Sequence, residues 1–266
     1  MEQITSRQNP LVRRFRELAS HGASNGDLLL DGEHLLSEAL ASGVPVEVAL
    51  VSNRLATAPF IVRASKSGAR IVAVSDQVLA AVSPVHTPSG VVAIAHKEAA
   101  TLEHAARVAP QLMLVLNGVQ DAGNVGAIVR AAEACGATGI VTTEGTADPF
   151  GWKALRGGMG STFRVPIAVR QPVDAALTAL RERGVRTLAT VPNDGTPLPD
   201  CDLRGPHAIV LGAEGAGLPE AVLARCDARL SIPMRAPVES LNVSIAAALV
   251  VYEASRQRNV RSPGVG

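Results

Sequence analysis

The sequence predicts an α/β protein made of two consecutive regions of alternating strands and helices. Three observations carry this prediction. Short apolar runs recur along the chain, and stretches with the 3–4-residue apolar spacing of helices separate most of them. Glycine and proline punctuate the joints. A polar, alanine-rich stretch at 97–110 contains no strand-like run and divides residues 1–96 from residues 111–266.

In the first region, Asn9-Pro10 opens a helix: Asn caps free N–H groups, and Pro at the first helical position has no N–H to waste. Leu11, Phe15 and Leu18 then share one face. LLLDG (28–32) reads as a strand and EHLLSEALASG as a helix closed by Gly43. VEVALVS (near 45–52), RIVAVS (70–75) and GVVAIA (90–95) read as strands, and DQVLAAVS as a short helix.

The second region begins with LMLVLNG (112–118), a buried-strand run, followed by a glycine-rich turn and the helix VGAIVRAAEACG, closed by Gly136. GIVTTEG (139–145), RTLATVP (186–192), AIVLG (208–212) and RLSIPM (229–234) read as strands, and RVPIAV (164–169) as an extended piece. VDAALTALRERG is a helix. LNVSIAAALVVYEASRQR is the last helix, with Leu241, Ile245, Ala248, Leu249 and Tyr252 on one stripe. Strands separated by helices imply a largely parallel sheet covered on both faces.

Composition excludes some functions and leaves others open. Aromatic residues make up only 2% of the chain, which argues against a platform for stacking single-stranded bases. A net charge of +1 does not decide about nucleic acid, because a basic face can sit on a neutral protein. Two local clusters, Arg7, Arg13, Arg14, Arg16 and Arg256, Arg258, Arg261, read equally as binding patches or as solvated helix faces. Cys135, Cys201 and Cys226 have neither metal-ligand nor redox spacing, and their scarcity fits a reducing compartment. The N-terminus carries no apolar signal segment, and the run Ile245–Tyr252 is too short to span a bilayer. The expectation is a cytoplasmic protein without membrane or metal partners.

Three segments stand out from ordinary connections. In NGVQDAGNVGAIVRAA (117–132) glycines loosen a turn and a helix starts near Asn124, where free N–H groups favour anions. Arg130 on that helix is either a surface residue or a fork for phosphate. In IVLGAEGAGLP (209–219) the glycines run GxxGxG rather than the GxGxxG of nicotinamide-binding folds, which speaks against such an oxidoreductase. Glu214 there is a turn residue or a ligand contact. In SIPMRAPVESLNVSIAAA (231–248) Ser240 occupies the place of a helix cap and Asn242 follows within the first turn.

Together and in this order, DAGNVGAIVRAA, LGAEGAGLP, and IPM followed by ESLNVSIAAA resemble the SpoU/TrmH family of RNA ribose 2′-O-methyltransferases over about residues 111–257. TADPFGWKALRGGMGSTFRVPI (146–167) is similar to the family's segment between its first two motifs. TSRQNPLVRRFREL, DGEHLLSEAL and TPSGVVAIA resemble the RNA-binding domain that many members carry. Two departures occur: Ala122 stands where proline is common, and Gly157-Gly158 replaces a small pair that is often Ala-Ser.

The resemblance implies a SPOUT-type knotted parallel-sheet domain behind a small α/β RNA-binding domain, working as a homodimer on RNA, with ribosomal RNA ahead of transfer RNA. It implies S-adenosylmethionine held largely by backbone groups, at Leu211, Gly212, Glu214, Gly215, Ile232, Met234, Leu241 and Val243. It carries over Arg130, Asn124, Glu214, Ser240 and Asn242 as the chemical residues. A catalytically idle RNA-binding member of the fold is the alternative. Arginine titrates above about 12, so a charge-holding role for Arg130 is expected ahead of a role as base.

Overall fold

A computed structural model describes residues 2–22 and 25–258, which fall into two compact units. The first comprises residues up to Glu98 together with Phe150–Arg164, and the second the remainder. A contiguous division at 97–110 would group 150–164 with the second unit. The segment instead packs within the first.

The first unit contains β1 (Glu2–Ile4), α1 (Pro10–His21), β2 (Asp27–Asp31), α2 (Glu33–Ala41), β3 (Val46–Ser52), α3 (Pro59–Lys66), β4 (Arg70–Val74), α4 (Asp76–Val82) and β5 (Val91–His96). The strand order is β1-β4-β3-β5-β2, with β5 antiparallel to both neighbours. Asn9 caps α1 as expected, its Oδ1 accepting from Leu11 N at 2.9 Å. Val12, Phe15 and Leu18 of α1 and Val78, Leu79 and Val82 of α4 pack on Leu50, Val72 and Ile94 of the sheet. The short β1 and the helix α3 were not anticipated; α3 starts on Pro59 and buries Phe60, Ile61 and Ala64.

Later in the chain, α7 (Trp152–Gly158) and α8 (Ser161–Arg164) also belong to this unit. α7 lies against β2, the end strand of the sheet, and so covers an edge that would otherwise be open to pairing. Trp152 packs on the α1–α4 core. Residues of the DGEHLLSEAL motif hold the rest: Arg164 pairs with Glu38, and His34 Nε2 donates to the Met159 carbonyl at 3.4 Å. A Cβ at Gly160 would lie 2.7 Å from a Glu38 carboxylate oxygen, so glycine is what fits there. Part of the stretch that reads as RNA-binding is thus turned inward to fasten this segment.

The second unit contains α5 (Leu102–Ala105), β6 (Leu112–Leu116), α6 (Ala122–Ala134), β7 (Gly139–Thr143), β8 (Ile167–Gln171), α9 (Val173–Glu182), β9 (Arg186–Val191), β10 (Thr196–Pro197), β11 (His207–Leu211), α10 (Glu220–Leu223), β12 (Ala228–Ser231) and α11 (Val243–Gln257). Its sheet runs β10-β12-β9-β11-β6-β7-β8, with every recorded pairing parallel. All of β6 is buried, as the uninterrupted apolar run required. Met113 and Val115 join the core beneath α5, α9 and α10, while α6 and α11 pack on each other.

Two expectations about the last helix are corrected. The face of α11 that is buried is Val243, Ala247, Val250, Val251 and Ala254. The expected stripe points outward instead, with Ile245 at 51%, Leu249 at 42% and Tyr252 at 63% exposure. A helix apolar nearly all round does not announce which of its faces is covered. The cap is Asn242, not Ser240: Asn242 Oδ1 accepts from Ser244 N at 2.9 Å.

The basic clusters also separate. Arg14 is consumed by Asp27 and Glu47, which hold its guanidinium well above the ordinary arginine range. Arg7, Arg13 and Arg16 are exposed. Arg256 pairs with Glu253 one turn back. Arg258 is not a surface cation: it donates to the carbonyls of Leu203, Pro110, Gln111 and Gly205. Arg261 lies outside the described residues.

Candidate active site

Open parallel sheets bind ligands beyond the carboxyl ends of their strands. The ends of β9, β11 and β12 and the start of α11 enclose a cavity of about 390 Å³. Every residue expected at the cofactor lines it: Leu211, Gly212, Glu214 and Gly215 from β11 and its loop, Ile232 and Met234 after β12, and Leu241 and Val243 at α11. Ser240 and Asn242 line it as well. Thr190, Val191, Pro192, Ala213, Gly217, Leu230 and Ala246 complete the wall and were missed. The only signal for Thr190–Pro192 would have been the order β12-β9-β11, which places the end of RTLATVP between the other two loops.

The glycine loop has a specific geometry. Ala213 and Gly217 exchange both backbone hydrogen bonds, at 3.2 and 2.9 Å, which pinches residues 213–217 into a closed turn. A Cβ on Gly212 would meet the Gly217 carbonyl carbon at 2.3 Å, inside van der Waals contact with backbone. Gly215 has φ +78° and open space around it, so peptide groups there are accessible to a ligand.

The loop after β6 is fastened next to this turn. Asn117 N donates to the Leu211 carbonyl at 2.8 Å, and Gly118 N donates to Thr146 Oγ1 at 3.0 Å. α6 begins earlier than expected, with Asp121 as its cap: Asp121 Oδ1 accepts from Asn124 N at 2.8 Å. Asn124 is therefore inside the first turn, facing the glycine loop.

A chain of hydrogen bonds then crosses the site. Asn124 Nδ2 donates to Glu214 Oε1 at 2.9 Å, and Asn242 Nδ2 donates to Asn124 Oδ1 at 3.1 Å. The direction is forced. Asn242 must present its oxygen to the N–H groups of α11, so its amide nitrogen faces Asn124; Asn124 in turn can offer only its nitrogen to a carboxylate. Gln120 N also donates to Glu214 Oε2 at 3.3 Å. Burial alone would push the Glu214 carboxyl up, but the Asn124 amide and the N–H groups of Glu214, Gln120 and Asp121 outweigh it, and the group sits below its usual value.

Three of the five residues expected to carry chemistry, Glu214, Ser240 and Asn242, thus line the cavity, and Asn124 is hydrogen-bonded to two of them. Arg130 stands apart, about 9 Å farther along α6 at 1.5 Å per residue. It is exposed and has no hydrogen-bond or ion-pair partner among the described residues. A free guanidinium there can hold an anion brought by a ligand.

The sequence and fold have close counterparts. Residues 111–252 match the SpoU rRNA methylase family, and residues 9–93 match the MRM3-like substrate-binding domain. The chain is 33% identical to the 23S rRNA (guanosine(2553)-2′-O)-methyltransferase RlmP of Bacillus subtilis, over 95% of this chain and 98% of that one. It is 33% identical to the 23S rRNA (guanosine-2′-O-)-methyltransferase RlmB of Ralstonia nicotianae, over 76% and 82% respectively. Among solved structures, the methyltransferase AviRb of Streptomyces viridochromogenes in complex with AdoMet aligns with TM-score 0.85 at 27% identity, covering 95% of this chain and 99% of that one. An AdoMet-bound rRNA methyltransferase from Sinorhizobium meliloti aligns with TM-score 0.84 at 27% identity, covering 98% and 99%. With residues 111–252, more than half its length, matched by the family, this chain belongs to the SpoU rRNA methylase family.

Proposed function

We propose that this protein transfers a methyl group from S-adenosylmethionine to a ribose 2′-hydroxyl of ribosomal RNA in the large subunit. The observation that carries the reading is the convergence of Glu214, Asn242 and Ser240 on one cavity, with Asn124 hydrogen-bonded to the first two. The cavity fits the cofactor: its volume is that of a small-molecule site, its walls are largely aliphatic, and the glycine turn offers bare peptide groups. Leu211, Gly212, Gly215, Ile232, Met234, Leu241 and Val243 would hold it.

The bound cofactor supplies an electrophilic methyl group. The protein's task is alignment of the attacking oxygen and support for the charge it gains as its proton leaves. Asn124 and Asn242, each fixed by the hydrogen-bond chain, hold the two loops in register around the ribose. Glu214 remains ionised and acts as the anchor of that chain rather than as a proton carrier. Arg130 grips the phosphate beside the target ribose and stabilises the developing alkoxide.

The further expectations gain support from particular features. The outward apolar stripe of Ile245, Leu249 and Tyr252 supports a homodimer formed on α11, since such stripes are usually covered. The grip of Gln257 and Arg258 on residues 201–205, while the other end of α11 enters the cavity, supports a knotted path for the last segment. Residues 1–96, with 150–164 packed among them, serve as the substrate-binding domain, 97–110 as linker and the rest of 111–266 as the methyltransferase domain. No helix among the described residues is long and apolar enough to cross a membrane, and action on ribosomal RNA would support a cytoplasmic location.

The test is to incubate the purified protein with labelled cofactor and unmodified large-subunit RNA, then map ribose methylation. Label appearing on a base, or only on transfer RNA, overturns the reading. Arg130→Ala should abolish transfer and leave cofactor affinity within about twofold. Arg130→Lys keeps charge but loses the planar fork, so partial activity is expected.

A further inference from the structure

We infer that the exposed side of α7, through Lys153, Arg156 and Met159, is a contact surface for the RNA strand. The inference rests on RNA being the substrate, and it concerns where the first unit touches it.

Met159 is the starting point. It caps α7 in the left-handed conformation, φ 49° and ψ 41°, with its N–H on the Leu155 carbonyl at 3.1 Å. Glycine is the residue that adopts this cap without strain, and glycines stand on both sides, at 158 and 160. The methionine side chain is not packed away: it remains 39% exposed. A large flexible apolar group kept outward at a position that favours glycine points to a use outside the fold.

Its neighbours define the partner. Residues 150–164 carry three cations and no carboxylate. Arg164 is spent on Glu38. Lys153 and Arg156 are exposed and three residues apart, hence on one side of the helix with about 5–6 Å between their Cβ atoms. Lys153 stands 5.5 Å over the Trp152 ring, which restrains it without neutralising it. Arg156 lies within electrostatic reach of Asp31, whose Oδ2 already accepts from Ser83 Oγ. Two positive side chains at that separation match successive phosphates of one strand, and the thioether beside them can lie against a sugar or base.

The test uses the full chain and an unmodified large-subunit RNA transcript, with binding measured by filter retention across a salt series and without cofactor. The double variant K153Q/R156Q should bind about tenfold more weakly, and log K against log salt should become shallower by about 1.4–1.8, two phosphates' worth. Met159→Gly should raise the melting temperature while weakening RNA binding severalfold. S-adenosylhomocysteine affinity should be unchanged in all variants. An unchanged salt slope in K153Q/R156Q, or Met159→Gly that melts higher and binds RNA as wild type does, overturns the inference. So does a switch in oligomeric state in these variants, which would assign the surface to a second copy. Because binding is read without methyl transfer, failure here leaves the proposed reaction standing, and failure of methylation leaves this result readable.

Discussion

Asn242 and Asn124, 118 positions apart in sequence, meet through an Nδ2–Oδ1 hydrogen bond of 3.1 Å. The bond joins the first turn of α11 to the first turn of α6, and through Asn124 it reaches the carboxylate of Glu214 in the glycine loop. One amide side chain therefore does two jobs: its oxygen caps a helix and its nitrogen orients a second amide.

Asn242→Asp separates those jobs. The variant keeps the capping oxygen and adds favourable charge at a helix start, so the melting temperature should hold or rise. The donor to Asn124 is lost, and methyl-transfer kcat should fall tenfold or more. Asn242→Ala should show the same kinetic loss and also cost about 1 kcal/mol of stability. Thermal unfolding and initial rates on the same preparations check both; a full-rate Asn242→Asp enzyme would remove the relay from the mechanism.

Gly212→Ala should abolish cofactor binding. The new Cβ falls on the Gly217 backbone, which cannot move without breaking the Ala213–Gly217 pairing. Calorimetric titration with S-adenosylhomocysteine should show a loss of at least about 100-fold. Gly215→Ala has open space and suffers only the left-handed penalty, about 1–2 kcal/mol, so its affinity should suffer far less.

Glu214 sets an acid limit. Its folded-state carboxyl lies below the usual 4.5, because hydrogen bonds to its charged form outweigh burial. A depressed pKa contributes stability that is complete above the unfolded value and disappears as pH falls through the folded one. The wild-type melting temperature should therefore drop below about pH 4.5 more steeply than that of Glu214→Gln. Parallel curves from pH 6 to 3 would exclude the contribution.

The two arginines near the C-terminus should behave differently. Arg258→Ala leaves buried carbonyls short of a donor and should cost about 2–3 kcal/mol in urea unfolding. Arg256→Ala removes an exposed pair and should cost less than about 1 kcal/mol. Neither should alter the salt dependence of RNA binding.

Tyr252→Glu should dissociate the proposed dimer, observed as a halved mass in sedimentation. A protein that sediments as a monomer before the change would remove α11 as an interface.

What sequence made legible follows a physical pattern. β6 and β11 were readable because strands buried on both faces are continuous apolar runs. α1 was readable because Asn9-Pro10 and Leu11, Phe15, Leu18 agree on one helix. Much of the cavity wall was anticipated where residues belong to a motif, from Leu211 to Val243, though Ala213, Gly217 and Ala246 of the same motifs were not singled out. Thr190–Pro192 was not, because strand order is a tertiary property that no local pattern encodes. The outward face of α11 was misread since both of its faces are apolar. α7 escaped notice because Gly157, Gly158 and Gly160 weaken the helical signal.

The placement of Trp152 has a practical consequence. It is the sole tryptophan of the chain, and it packs on the core of the first unit although the segments flanking 150–164 on both sides belong to the second. Tryptophan fluorescence is thus a private reporter of the N-terminal unit, while circular dichroism sums over both. A gene fragment ending at residue 98 would carry no tryptophan signal and would lack the helix packed on β2. Dissecting this protein by simple truncation removes part of the very unit one means to isolate.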